Sequence, residues 1–301
     1  MDRLEAMSIL VAAVEAGSLS AAARRLGTPL ATVSRKVAEL EAYLQTRLLN
    51  RSSRQLTLTD AGRSYVAACR RILEDVGDAE RTASGEYSAP RGEFVITAPI
   101  VFGRLHVLPA VIAFLRAYSD VDIRLALTDR VVNLLEEHVD LAIRIGELPD
   151  SSLVVTRVGS IRRVLCASPA YLAERGVPED PADLTHYACV TFEGLTAADR
   201  WKFHIGKSEV SVPIRSRLVV NTATAAIDAA AAGLGITQVL SYQVASAVRA
   251  GALTVVLTDF EPVPWPVSLL YLGGRLLPLK LRAFLEFAVP RLRSELAEDS
   301  A

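Results

Sequence analysis

Residues 28–38 carry the arrangement in this chain best suited to chemistry, and the chemistry is recognition. Within Thr28-Pro29-Leu30-Ala31-Thr32-Val33-Ser34-Arg35-Lys36-Val37-Ala38, a turn of about 100° per residue puts Ala31, Ser34, Arg35 and Ala38 on one face of a helix. Val33, Val37, Leu40 and Leu44 fall on the opposite face. Small and polar side chains around one arginine suit entry into a DNA major groove, because bulky aliphatics would hold the helix away from the base edges. Thr28 is expected to cap this helix, and Pro29 falls in the first turn, where a missing N–H costs nothing. Thr32 belongs to the same first turns. Further on, residues 47–59 read as two short extended runs around a polar tip. Arg51 and Arg54 at that tip are suited to phosphate or a minor groove.

The rest of the chain shows no catalytic constellation. Gly233-Leu234-Gly235 lacks the later glycine and the preceding strand of a dinucleotide loop, and reads as a helix end leading into a strand. Neither G-x-x-x-x-G-K-[ST] nor H-E-x-x-H occurs, and His106, His138, His186 and His204 lack metal-ligand spacing. No nucleophile-elbow motif frames a serine. Cys69, Cys166 and Cys189 are an odd, widely spaced set, which argues against a disulfide framework or a zinc cluster and fits a reducing compartment. Trp201 and Trp265 read as structural aromatics. The expectation is a protein that is not an enzyme and uses no metal and no cofactor.

Several elements must position the reader face. Leu4, Met7, Val11 and Val14 mark an amphipathic helix over residues 3–16 that ends at Gly17. Ser20 can cap a second helix, 21–26, that ends at Gly27. A three-residue, glycine-containing turn before the third helix is helix-turn-helix spacing, about Leu19 to Ala38. Charge supports the reading. The chain is nearly neutral, at −1, yet the window Arg24 to Arg71 holds ten basic and three acidic residues, so it carries +7 against −8 elsewhere. An anionic partner for the N-terminal module follows, and a uniformly basic protein is excluded. With 51% hydrophobic residues and a mean hydropathy of +0.29, disorder is excluded too. The start, Met1-Asp2-Arg3-Leu4-Glu5, has no apolar leader segment, so a cytoplasmic location is expected. The apolar run Leu218 to Leu240 is broken by Asn221, Asp228 and two glycines and reads as strand, helix and strand, without a membrane role.

Tyr65, Cys69, Ile72, Val76, Ala79 and Ala83 are spaced 4, 3, 4, 3, 4, a narrow seam of nearly three heptads on a long helix. Such a seam either pairs with another copy or packs on the chain's own domains. Cys69 on it reads as a packed thiol.

Ser18-Leu19-Ser20-Ala21-Ala22-Ala23, residues 28–37, Leu40-Glu41 and Leu56-Thr57-Leu58-Thr59-Asp60-Ala61-Gly62 together resemble the LysR-type transcriptional regulators. Gln45 stands where the family usually has glycine after the recognition helix, and Leu49 where many members have phenylalanine. The resemblance implies an all-α winged helix-turn-helix domain, a linker helix that pairs two subunits, and a two-lobed α/β domain like type 2 periplasmic binding proteins. Asp140 to Gly146, Leu165 to Leu172, Asn221 and Ala230 to Ile236 carry the second half of the match.

The body itself alternates strands and helices, the mark of βαβ units and a mostly parallel sheet. Strands are expected at 94–97, 122–127, 141–145, 164–167, 189–192, 218–220, 236–239 and 267–272. Helices are expected at 105–118, 131–137, after Pro169, at 222–232 and at 278–293. Ligands of open α/β sheets bind beyond the carboxyl ends of strands. That selects Thr97, Pro99 and Ile100 after the first strand, Thr128-Asp129 after the second, Arg144 and Ile145 at the third, Phe192-Glu193 in the second lobe, and Asn221-Thr222 before the alanine-rich helix. Pro99 replaces a usual hydroxyl donor and Phe192 adds apolar surface. The resemblance implies a small organic acid as the effector, and these two residues make an aromatic compound the equal expectation.

The expected domains are 1–59 for DNA binding, 60–90 for the linker and 91–301 for the effector. Lobe I covers about 91–163 and 266–301, and lobe II about 164–265. The expected partners are double-stranded DNA, a small-molecule effector, a second copy giving a homodimer and then a homotetramer, and RNA polymerase. The alternative is a solute-binding or enzymatic α/β protein with an accessory helical domain.

Overall fold

The computed structural model describes residues 2–51, 56–83, 89–148, 152–192, 199–206, 208–274 and 277–298. The chain forms two compact units, Met1–Gly92 and Glu93–Ala301.

In the first unit, helix α1 spans Arg3–Glu15, and the Asp2 carboxylate caps it by accepting from the Leu4 and Glu5 N–H groups. Helix α2 is Leu19–Leu26. Its cap is Ser18, whose hydroxyl accepts from Ala21 N at 3.1 Å, and not Ser20 as expected. Ser20 already lies inside the helix. Helix α3 is Leu30–Leu44 and starts after Pro29 with no side-chain cap. The expected Thr28 cap is therefore corrected. The Thr28 hydroxyl donates to Leu26 O in the preceding turn, and Pro29 O receives the Thr32 and Val33 N–H groups. Gln45 ends α3 in the left-handed region at φ 51, the conformation glycine would adopt freely. Strands β1, Leu49–Arg51, and β2, Leu56–Leu58, pair antiparallel as the wing. Helix α4, Asp60–Ala83, follows. Its start packs so closely on the wing that a Cβ on Gly62 would lie 2.0 Å from Leu48 O. Ala6, Ile9, Leu10, Val33, Val37, Leu40, Leu48, Leu49 and Val66 form one buried core. Each large aliphatic among them contributes about 1.5–3 kcal/mol of burial.

The second unit begins with β3, Gly92–Ala98, then a helical stretch made of α5, Ile100–Phe102, a π turn over Gly103–Val107, and α6, Leu108–Ala117. This stretch is long and apolar enough to cross a membrane by composition. It packs Phe102, Val107, Val111 and Phe114 into the core of the first lobe. Strands β4, Val121–Leu127, β5, Leu141–Ile145, and β6, Leu153–Ile161, come next. The helix expected at 131–137 is absent. Asn133 Oδ1 accepts from the Leu135 and Glu136 N–H groups, and His138 is left-handed at φ 57, so the segment closes on itself as turns.

The second lobe holds β7, Arg163–Ala167, α7, Pro169–Arg175, β8, Ala188–Phe192, and the hairpin β9, Arg200–Ile205, with β10, Ser208–Pro213. It continues with β11, Arg215–Val220, α8, Ala223–Ala231, β12, Ile236–Leu240, α9, Ser241–Arg249, and β13, Thr254–Val256. Strand β14, Trp265–Leu272, and α10, Leu279–Glu298, belong again to the first lobe.

The sheet orders are β4-β3-β5-β14-β6 and β11-β8-β12-β7-β13. A mostly parallel sheet was the expectation, and both sheets are mixed. β3 and β5 are parallel, whereas β14 runs antiparallel to β5 and β6. In the second sheet β8 is parallel to β11 and β12, and β7 is antiparallel to β12 and β13. The reason is the chain path. β6 carries the chain out of the first lobe, and β14 brings it back from the other lobe's side, so β14 runs opposite to β5 and β6.

Candidate DNA interface and effector cleft

The reader face is a by-product of how α3 buries its other side. Val33, Val37 and Leu40 are fully buried, which turns Ala31, Arg35 and Ala38 outward, with Ser34 and Thr32 half-buried beside them. Arg35 pairs with Glu39 one turn on, at 3.0 Å. The pair lies at the surface, so it contributes only about 0.3–0.5 kcal/mol. Lys36 points away from this face and bonds Glu5 on α1. At the start of α3, Ser20, Ala23, Arg24, Gly27, Thr28, Pro29 and Leu30 line an open depression of about 460 Å³. Leu30, 48% exposed, was not anticipated there.

The wing is tied to the reader. Glu41 Oε1 accepts from Leu48 N at 2.8 Å and Leu49 N at 3.0 Å. Thr59 closes the other side, donating to Arg47 O at 2.7 Å. Arg51 ends β1, and Arg54 lies outside the described residues.

The seam on α4 divides. Cys69 is fully buried inside the first unit and Tyr65 is half-buried there, beside Val66, where the first turns of α4 rest on α1. Burial pushes the Cys69 thiol up to about 11. These two seam positions are therefore intrachain packing, a correction to the expected pairing surface. Tyr65 packs against the helix-turn-helix core. Ile72 is 41% exposed, Val76 is half-buried and Ala79 exposed, so the outward seam starts one turn later. Nothing is described of the Ala83 side chain. Cys166 and Cys189 are buried too, and desolvation pushes each thiol up to about 12. None of the three is a ready thiolate.

In the second unit, the strand-end residues separate into those taken up by the fold and those left over. Thr97 is buried and its hydroxyl donates to Ala126 O at 3.0 Å. Thr222 caps α8 through Ala225 N. Both were expected to face a ligand, and both hydroxyls serve the scaffold. Thr128 is half-buried. Its N–H donates to Ala98 O, and its Oγ1 accepts from Arg130 N while keeping its own proton to donate. Ile100 is 43% exposed, and its N–H bonds the Asp129 carboxylate at 3.0 Å. An incoming anion at that turn meets a carboxylate already in place. Arg144 is half-buried. Desolvation holds its guanidinium below the usual arginine range, helped by the like charge of Arg130, and its Nη2 has no hydrogen-bond partner among the described residues. Ile145 and Pro99 are half-buried, Phe192 is buried with Val190, Ala223 and Ala226, and Asn221 is exposed. Glu193 lies outside the described residues.

Gln238 and Arg163 were not anticipated, and Trp201 was expected only as a structural aromatic. Gln238 in β12 is 2% exposed, and neither of its amide atoms has a partner among the described residues. Arg163 Nε and Trp201 Nε1 are likewise buried without partners among them. An unmet buried polar group costs about 1–3 kcal/mol. The signal lay in Ile236-Thr237-Gln238-Val239-Leu240, a buried strand with an amide in it.

Comparison with known proteins agrees with this geometry. Residues 4–63 match the lysR-family bacterial regulatory helix-turn-helix, and residues 88–293 match the LysR substrate binding domain. An HTH-type transcriptional repressor of Pseudomonas aeruginosa is 34% identical, over 96% of this chain and 92% of its own. The HTH-type transcriptional activator AaeR of Escherichia coli is 32% identical over 94% and 91%. The full-length virulence activator AphB of Vibrio cholerae superposes with a TM-score of 0.61 at 28% identity, covering 96% of this chain and 99% of that one. CrgA of Neisseria meningitidis, a LysR-type regulator, gives 0.61 at 29% identity over 96% and 98%. These relatives are regulators, not enzymes. A reader helix exposed on one unit and a two-lobed substrate-binding fold in the other make this chain a member of the LysR family, a DNA-binding transcriptional regulator with an effector-binding domain.

Proposed function

We propose that α3 reads a major groove through Ala31, Ser34, Arg35 and Ala38, with Thr28, Pro29 and Thr32 against the phosphates and Arg51 and Arg54 of the wing at the flanking groove. The carrying observation is the face of α3 that stays open because Val33, Val37 and Leu40 are buried opposite it. We further propose domains at 1–59, 60–90 and 91–301, a dimer through Ile72, Val76, Ala79 and Ala83, and a tetramer built from two such dimers. The regulator acts in the cytoplasm and meets RNA polymerase at the promoter. Its effector, an organic acid or an aromatic compound, sits between the lobes against Thr128, Arg144, Ile145, Pro99, Ile100, Phe192 and Asn221. A ligand that binds one assembly more tightly shifts the population toward it and so changes how DNA is bent.

The test is footprinting of the full chain on DNA upstream of its own gene, over a salt series, with small acids and aromatics added. The expected pattern is two protected half-sites about 34–36 Å apart, with affinity falling steeply as salt rises. Protection that ignores salt and spacing would overturn the reading of α3.

A further inference from the structure

Leu30 is the first residue of α3, and it stands outside the core that the rest of the helix builds. Val33, Val37 and Leu40 are fully buried, whereas Leu30 is 48% exposed. Among the described residues of the first unit no large aliphatic is more exposed. At about 100° per residue Leu30 falls at the border between the buried stripe and the reader face, one turn before Ser34. Helical side chains lean toward the N-terminus, so Leu30 projects ahead of Ala31 and Ser34. The leading end of a recognition helix is the part that meets base edges.

The surroundings of Leu30 are small, open and basic. It lines the depression at the start of α3 together with Ser20, Ala23 and Arg24 of α2 and with Gly27. Serine, alanine and glycine are too short to cover a leucine. Arg24 and Arg25 form the basic last turn of α2. Arg25 turns to Glu15 of α1 at 2.7 Å, while Arg24 stays exposed at the rim of the depression. An apolar protein partner seated on Leu30 would have to desolvate Arg24. Duplex DNA meets Arg24 with a phosphate instead and presents base edges beside it.

We propose that Leu30 reads a thymine in each half-site by packing on its C5-methyl group, and so sets the base preference at one position of the operator. The inference rests on reading α3 as the groove helix. Ser34 and Arg35 donate hydrogen bonds to base edges, and a hydroxyl discriminates poorly because it suits several of them. Leucine neither donates nor accepts. The C5-methyl of thymine is the apolar group that base edges display in the major groove. Against a guanine or cytosine edge, Leu30 would displace water from polar atoms without replacing their hydrogen bonds. Leu30 therefore favours thymine both by contact with it and by penalty against the alternatives. Ala31 next to it is short enough to let the helix approach that closely.

A uracil scan isolates the methyl group. Each thymine in the half-sites protected upstream of the gene is replaced singly by deoxyuridine, which leaves every hydrogen-bonding atom of the base pair in place. The affinity of the full chain is read by fluorescence anisotropy at one salt concentration. Replacing the thymine under Leu30 is expected to weaken the parent about fourfold, the worth of one buried methyl. Leu30→Ala is expected to bind the thymine and uracil duplexes alike at that position and to keep the parent's response at every other thymine. Leu30→Gln, which preserves length and helix propensity, is the second variant if the first does not fold, and it too should be blind to the methyl. The proposal is overturned if uracil at every position leaves the parent's affinity unchanged. It is equally overturned if the Leu30 variants keep the parent's response at all positions, since another residue then holds the methyl. A flat scan together with weakened binding by Arg35→Ala leaves α3 as the reader and removes only Leu30. Failure of the full chain to protect any half-site removes the reading of α3 and this proposal with it.

Discussion

The two units place function on opposite sides of their packing. In the first, the reader face of α3 is what remains outside after Val33, Val37 and Leu40 are buried. In the second, the polar groups without a partner among the described residues are inside or half-inside, among them Arg144, Gln238 and Arg163. A partner as large and rigid as duplex DNA must be met on a convex surface. A small molecule must be surrounded, so its contacts lie where strands end and lobes meet. The lesson is that exposure marks the first kind of site, and unmet burial the second.

That contrast can be broken at several points. The largest effect is expected from Leu40→Ala, which should destabilise the first unit by about 2–5 kcal/mol through the cavity it leaves. Calorimetry should show one transition shifted and the transition of residues 93–301 unchanged. A common shift of both would mean the units do not fold separately. Ile72→Asp puts a charge on the outward seam of α4, where pairing would have to desolvate it. Dissociation of the assembly in light scattering is the expected result, and an unchanged mass would remove Ile72 from the contact.

Arg35→Ala should weaken operator binding by about 1–3 kcal/mol and leave the melting curve alone, because Arg35 lies opposite the buried stripe. If stability falls instead, the Glu39 pair matters more than the groove. Thr128→Val nearly preserves volume while deleting a hydroxyl. It should shift the effector dose–response by about 0.5–1.5 kcal/mol in a reporter assay, with basal operator occupancy retained. An unmoved curve would send the search to other cleft residues. The smallest expected change is a gain. Gln45→Gly should stabilise the first unit by about 0.5–1 kcal/mol, since left-handed backbone is unfavourable for a residue with a Cβ. A loss on chemical denaturation would show that the Gln45 side chain matters for its own contacts.

Much of the first unit was legible because its helices follow one period and one face. The α3 stripe, the wing and the linker helix all followed from spacing. The caps did not, since Ser18 and Ser20 are both competent caps and only backbone geometry selects Ser18. The seam on α4 misled for a related reason. Heptad spacing specifies a face but not its partner, and α1 of the same chain covers Tyr65 and Cys69 before Ile72 turns outward. In the second unit the 131–137 helix failed because Asn133 offers its side chain to two backbone N–H groups, a local competition that hydrophobic spacing does not register.

By itself, the sequence determined the class of this protein: the small and polar face of α3, the basic window, the alternation of strands and helices, and the motifs that resemble the LysR-type regulators. These are properties of period, charge and residue type, which act over a few residues. The tertiary structure alone decided which hydroxyls at the strand ends remain available, since Thr97 and Thr222 look no different from Thr128 until their partners 29, 3 and 2 residues away are seen. It also decided that Gln238 and Arg163 share one face of the second sheet. Strand register joins them, since Gln238 lies opposite Leu165 and Leu240 opposite Arg163, and register is set by the packing of the whole lobe, beyond the reach of any local pattern.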